Sequence, residues 1–300
     1  YLAQEGNVKN KNIVSIGTDF AITWREIDTS ITKFVYLAYN KKTKKWEQKH
    51  TYSFVTDDVI VHIGHGKVIF IHVVSNGIGF DIYGSLYINN GIGPFIKIAT
   101  LNLGDYQKMD IAAVKIETYK HYFLAVWWKN KLSNKEGIVF YTIDSSLKAI
   151  GFVNVVDKLN TNRLSDIKLS SFSDTAVCFA LIKNQKLLEA RLWVYTFKKD
   201  LLTLDTSKSF FKDSYPFEFD AFFNNTTKHY AIALSLNFGP LIVIKDKSGN
   251  EINNSLRLTT AAIEGKPAII WDRDKYVVIW SQKYKNKDRI YLKNIICKDK

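Results

Sequence analysis

At 300 residues the chain is long for one hydrophobic core, so it must hold either two domains or a repeat array with a stacked core. Hydrophobic residues make up 46% and aromatics 14%, which excludes a disordered chain, and no stretch approaches the length of a membrane span. Lys and Arg outnumber Asp and Glu by 42 to 29, for a formal charge of +13, but only six of the basic residues are arginines (Arg25, Arg163, Arg191, Arg257, Arg273, Arg289). Nucleic acid is excluded as the expected partner on that ground, because phosphate and base edges favour the guanidinium fork. The lysines are spread along the chain apart from Lys41-Lys42-Thr43-Lys44-Lys45, as expected for a solvated surface that guards sheet edges.

In chain order, short β-rich runs recur at 20–24, 68–72, 123–127, 176–180, 230–234 and 276–280, their first residues 48, 55, 53, 54 and 46 positions apart. A strand-like stretch precedes each run across a polar turn. A more alternating one follows, at 34–37, 82–86, 138–141, 192–195, 241–244 and 290–292. A fourth is visible at 52–55, 95–98, 152–155 and, less plainly, 255–258. Four strands per period near fifty is the layout of a propeller blade.

The expected fold is therefore all-β: a single six-bladed β-propeller of four-stranded antiparallel blades over 1–300, with a seven-bladed propeller or tandem β-sandwiches as alternatives. The blades fall at about 13–56, 57–105, 106–159, 160–212, 213–260 and 261–300. The last lacks a fourth strand, which residues 1–6 could supply. A first residue Tyr1 in place of methionine reads as a processed chain or an excised fragment.

The stretch Tyr276-Val277-Val278-Ile279-Trp280 followed by Ile290-Tyr291, and the similar pair at 123–127 and 138–141, resembles the degenerate repeats of bacterial and archaeal cell-surface propellers. The resemblance rests on packing residues. It implies an architecture and carries no activity.

Cys178 and Cys297 fall in non-neighbouring repeats and read as two unpaired thiols. His62, His65 and His72 are the tightest histidine group, but His62 and His72 sit on flanking strands at offsets that do not oppose them, so no metal is expected. No cofactor is expected either, since the phosphate-cradling Gly loop and the Gly-x-Ser-x-Gly elbow are missing. Asp19, Asp58, Asp110, Asp166, Asp220 and Asp272 recur near the ends of first strands, where Asp either caps turns or lines a channel. Asp220 and Asp272 are taken from that series as binding candidates. Trp46, beside the lysine run, and Trp128, facing away from Trp127, are the candidates for an exposed stacking platform. Asn224, Asn225 and Asn253 head glycosylation triplets.

The function expected from this reading is a non-catalytic binding or structural module of an extracellular or cell-surface assembly, presenting loops to a protein or glycan partner or to its own copies. The alternative is a carbohydrate-active enzyme or lectin that uses carboxylates and aromatics near the central channel, with Glu218, Asp220 or Glu264 as contributors.

Overall fold

The structure is a computed structural model that describes residues 8–16, 19–26, 31–55, 58–88, 91–116, 118–157, 162–172, 175–184, 189–197, 204–213, 218–224, 226–236, 239–246, 248–252, 255–259, 264–272, 274–284 and 287–296. The stretch 1–6 expected to complete the last blade lies outside them, as does Cys297. Every described element is a strand, and no helix is long and apolar enough to cross a membrane. The chain divides into two compact units, Tyr1–Val156 and Asp157–Lys300.

In the first unit β1 (Val8–Ile16), β2 (Asp19–Glu26), β3 (Ile31–Asn40) and β4 (Lys45–Val55) form sheet 1 in chain order. Sheet 2 runs β5 (Asp58–Gly64), β6 (Lys67–Ser75), β7 (Phe80–Ile88), with its fourth strand broken into β8 (Gly91–Ile92) and β9 (Ile96–Leu101), both paired to β7. Sheet 3 runs β10 (Asp105–Ile116), β11 (Tyr119–Asn130), β12 (Lys135–Asp144) and β13 (Ala149–Asp157).

In the second unit β14 (Asn162–Phe172), β15 (Thr175–Asn184), β16 (Glu189–Phe197) and β17 (Leu204–Asp213) form sheet 4. Sheet 5 is β18 (Glu218–Asn224), β19 (His229–Leu236), β20 (Gly239–Lys245) and the short β21 (Leu256–Arg257). Sheet 6 holds β22 (Glu264–Asp272), β23 (Lys275–Tyr284) and β24 (Lys287–Ile295), three strands among the described residues.

Each sheet is an antiparallel meander of consecutive strands, so local turns set the register. The hairpin of sheet 2 turns on His65 and Gly66, both with positive φ (54° and 76°), the backbone sense that matches the twist of the flanking strands. The middle strands β12 and β15 are covered on both faces, and for that reason they read as continuous apolar runs rather than alternating ones. All seven residues from Ala176 to Ile182 in β15 are buried, as are the eight from Glu136 to Ile143 in β12.

Within the first unit Phe34 packs with Val59, Val61 and Phe70 between sheets 1 and 2, and Ile71, Phe80 and Ile82 meet Met109, Tyr122 and Leu124 between sheets 2 and 3. Within the second, Phe179 and Leu192 meet Phe219 and Phe223 between sheets 4 and 5, and Ala233 and Ile242 meet Ile269, Tyr276 and Val278 between sheets 5 and 6. Burial of each such side chain stabilises the unit by roughly 1.5–3 kcal/mol.

Candidate functional site

The first strand of every sheet ends the sheet order, so alternate N–H groups along it face away from the ladder. Within each unit these first strands lie side by side, β1 by β5 by β10 and β14 by β18 by β22. Four of the six are interrupted in their N-terminal half, where extra residues enter β1 between Lys9 and Asn12, β10 between Tyr106 and Lys108, β14 between Leu164 and Asp166, and β22 between Glu264 and Ala268. Bulges of this kind re-aim side chains and concentrate beside active sites.

The carboxylates stand in the same half of these strands, in a fixed register. Asp58, Asp110 and Asp166 each lie six residues ahead of the last paired residue of their strand, Gly64, Ile116 and Phe172. All three accept the amide of the following residue on Oδ1, from Val59 at 2.9 Å, Ile111 at 3.0 Å and Ile167 at 2.8 Å. The outward N–H of the first strand is thereby satisfied, and Oδ2 is left to reach a neighbouring sheet. In the first unit Asp58 Oδ2 accepts the Tyr106 hydroxyl of sheet 3 at 2.6 Å.

In the second unit the same reach assembles two carboxylates and two ammonium groups. Lys266 lies six residues ahead of Asp272, the last paired residue of β22, and so takes in sheet 6 the place held by aspartate in sheets 2, 3 and 4. Its Nζ donates to Asp166 Oδ2 at 3.0 Å and lies 5.3 Å from the centre of the Phe219 ring. Lys168, two residues beyond Asp166 and therefore on the same side of β14, reaches Asp220 Oδ1 of β18 at 3.6 Å. Asp220 Oδ2 accepts the Ile269 amide of β22 at 3.0 Å. The aspartates are the inner partners, 13% and 15% exposed, and the lysines the outer ones at 35% and 40%. Carboxylates held by ammonium and backbone donors keep one orientation, and such a group can bind hydroxyls through charge-assisted bonds or act on a glycosidic centre.

The site candidates read from sequence divide sharply. Asp220 belongs to the cluster. Asp272 stands at the opposite, hairpin end of β22, paired with Lys275, as Asp19 pairs Ile16 in the first hairpin, so neither shares the strand position of Asp58, Asp110 and Asp166. The side chains of Asp272, Trp46 and Glu264 lie outside the described residues, although Trp46 is placed in β4 opposite Tyr39.

Trp128 is corrected: it is 3% exposed, in the core between sheets 2 and 3 with Met109. It does face away from Trp127, but both faces of β11 are covered, so neither facing leads to water. Asn224 is corrected as well. It is 3% exposed, its Nδ2 donates to the Tyr276 hydroxyl and its Oδ1 accepts the Thr226 and Thr227 amides, so no glycan can be attached there in the folded chain. Asn225 and Asn253 lie outside the described residues.

Among the described residues no three His, Cys, Asp or Glu groups converge as a metal site. His62 pairs with Ile69 and His72 with Val59, and Cys178 is a buried thiol. Sequence reasoning missed Lys168 and Lys266; for Lys266 the signal was positional, since the place six residues ahead of the first hairpin holds aspartate in sheets 2, 3 and 4 and Lys266 in sheet 6.

No protein-family model matches the sequence, and no curated protein is similar to it. Among solved structures, the α-L-arabinofuranosidase of Fusarium graminearum in complex with an iminosugar inhibitor is similar over 96% of this chain and 93% of that one, with TM-score 0.60 and 10% identity. A polysaccharide lyase is similar over 96% of this chain and 77% of its own, with TM-score 0.53 and 9% identity. The acylaminoacyl peptidase of Pyrococcus horikoshii matches 97% of this chain with 46% of its own, with TM-score 0.51 and 10% identity. At such identities the likeness is one of fold, all-β and propeller-like. It corrects the expected non-catalytic binding or structural module: a glycoside hydrolase and a polysaccharide lyase carry this fold, on the side of the carbohydrate-active alternative.

Proposed function

We propose that this protein is a carbohydrate-active enzyme whose six sheets serve as propeller blades, and that it engages a glycan at the N-terminal halves of the first strands of its second unit. The observation that carries the reading is the joining, in the second unit, of Asp166 beside the bulge of β14 and Asp220 of the adjacent β18 by Lys266 and Lys168. Asp166 and Asp220 are the reacting or substrate-binding carboxylates, and the lysines orient them and meet sugar hydroxyls. The likeness in fold to a glycoside hydrolase and a polysaccharide lyase supports this class of substrate. An extracellular or cell-surface location fits both a polymeric glycan substrate and the surface-propeller character of the repeats.

The test is to incubate the purified chain with arabinan and with acidic and neutral plant and algal polysaccharides, reading new reducing ends and unsaturated uronate ends. Release from at least one polymer, abolished by Asp166→Asn and by Asp220→Asn, is the expected result. A chain that neither cleaves nor retains any of these polymers is no carbohydrate-active protein.

A further inference from the structure

The hairpin between β6 and β7 turns through Asn76-Gly77-Ile78-Gly79, and residues 74–78 are exposed, Ile78 at 72%. Asn76 holds this turn twice over. Its backbone N–H donates to the Gly79 carbonyl at 3.1 Å, and its Oδ1 accepts the Ile78 amide at 3.2 Å. Asn40, Asn130 and Asn224 make the same side-chain contact, with the Lys42, Leu132 and Thr226 amides at 2.9, 3.0 and 2.9 Å. What distinguishes Asn76 is the residue after it. The other three are followed by Lys41, Lys131 and Asn225, whereas Gly77 has no side chain, sits at φ 88°, and would bring an added Cβ within 4 Å of nothing. The Gly77 N–H makes no hydrogen bond among the described residues.

We infer that Asn76 is a site of spontaneous deamidation, through a cyclic imide closed by the Gly77 nitrogen, and that the change unlatches β9 from the hairpin. The Gly77 nitrogen attacks Asn76 Cγ, and its proton leaves with Nδ2 as ammonia while the new N–Cγ bond closes the ring. Water then opens the imide at either carbonyl. Breaking the new N–Cγ bond gives aspartate, and breaking the original peptide bond gives isoaspartate. Two features of this turn favour closure. The Ile78 N–H already rests on Oδ1 and stabilises the negative charge that gathers there during attack. Glycine leaves the attacking nitrogen unhindered and lets the backbone adjust to the ring. The consequence reaches β9 because Asn76 Nδ2 also donates to Asp81 Oδ1 at 3.3 Å. That oxygen takes the Thr100 hydroxyl at 2.7 Å and Lys97 Nζ at 2.9 Å from β9. After conversion the donor is lost, and carboxylate faces carboxylate at the junction of β7 and β9.

The test ages the full chain in mildly alkaline buffer beside a free peptide of residues 73–80, and maps both by peptide mass and isoaspartate content. The folded chain is expected to convert at Asn76 to a mixture of aspartate and isoaspartate while Asn40, Asn130 and Asn224 persist. Asn76→Gln is expected to abolish the acidic species, and Gly77→Ala to slow it about tenfold or more with unchanged circular dichroism. The converted chain, separated by ion exchange, is expected to exchange its β9 amides faster than the unconverted one. An Asn76 that persists in the folded chain after the peptide has converted overturns the site. So does an acidic species that survives Asn76→Gln, or a conversion that Gly77→Ala does not slow. Unchanged exchange along β9 overturns the latch.

Discussion

Lys266 Nζ of β22 lies 3.0 Å from Asp166 Oδ2 of β14, so the first strands of sheets 4 and 6 are tied by an ion pair that passes the first strand of sheet 5. With Lys266 about a third exposed, the pair is worth little to stability. Removing its charge by Asp166→Asn should cost about 1 kcal/mol, since the amide can still accept from Ile167. Its effect on turnover should be far larger, about 100-fold or more if the carboxylate works on the substrate. Thermal melts and initial rates on the same samples separate the two, and a stable Asp166→Asn protein with full activity would remove Asp166 from the site.

His72 supplies a pH dependence. Its ring lies against Phe95 and Tyr83, with centroids 4.4 and 5.2 Å away, and its buried Nδ1 has no hydrogen-bond partner among the described residues. Burial lowers its pKa from 6.5 to about 4. The folded chain therefore holds the neutral ring, and stability from this group is complete above pH 6.5. It falls as pH drops toward 4 and levels below that, because the unfolded chain takes up the proton first. The loss is about 3 kcal/mol at most, and less to the extent that the ring keeps contact with water. Urea midpoints across this range should show the slope in the wild type and a shallower one in His72→Phe.

Much of the strand inventory was legible, because apolar runs bounded by polar turns mark strands whether one face or both are covered. The phase of the repeat was not. Laying Phe123 on Val68 misplaces sheet 3 by three residues, since Tyr119, Lys120 and His121 already belong to β11 and the hairpin sets Tyr119 opposite Ile116 as Lys67 is set opposite Gly64. An apolar run carries no fixed phase, whereas the aspartate six residues ahead of the hairpin does. The Asp–Lys cluster was illegible for a related reason: Asp166 and Lys266 are a hundred residues apart, and only the stacking of sheets brings them together. Trp128 was misread because alternation tells which face a residue takes but not whether that face is covered.

Leu147 offers a reversal of the usual order of substitutions. It sits in the left-handed region at φ 68°, in the turn that Asp144 holds by accepting the Ser146 and Lys148 amides, and its side chain is 1% exposed in the core between sheets 2 and 3. Leu147→Ala loses the packing, about 2–3 kcal/mol, and keeps the strain. Leu147→Gly loses slightly more packing but relieves about 1 kcal/mol of strain. Glycine should therefore be no worse than alanine here, where at an ordinary buried leucine it is worse. Denaturation midpoints that place Leu147→Gly well below Leu147→Ala would show that the turn is not strained.

The contact between sheets 2 and 3 at Gly64 can be tested by a compensating pair. A Cβ at position 64 would fall 2.4 Å from Ala113 Cβ and 2.8 Å from the Tyr122 ring, whose hydroxyl donates to the Gly64 carbonyl at 3.2 Å. Tyr122 is 1% exposed and Ala113 sits in a paired strand, so neither can retreat easily. Gly64→Ala should cost about 2–3 kcal/mol by overpacking, which for a chain of this size lowers the melting temperature by roughly 4–10 °C. Ala113→Gly removes the nearer obstacle and by itself costs about 1 kcal/mol in a strand. Combined with Gly64→Ala it should return part of the loss but not all, since the Tyr122 ring still obstructs. Additive effects in the double variant would mean that the sheets part at this point instead of interlocking, and the close approach of Gly64 to Ala113 would then be no constraint on the fold.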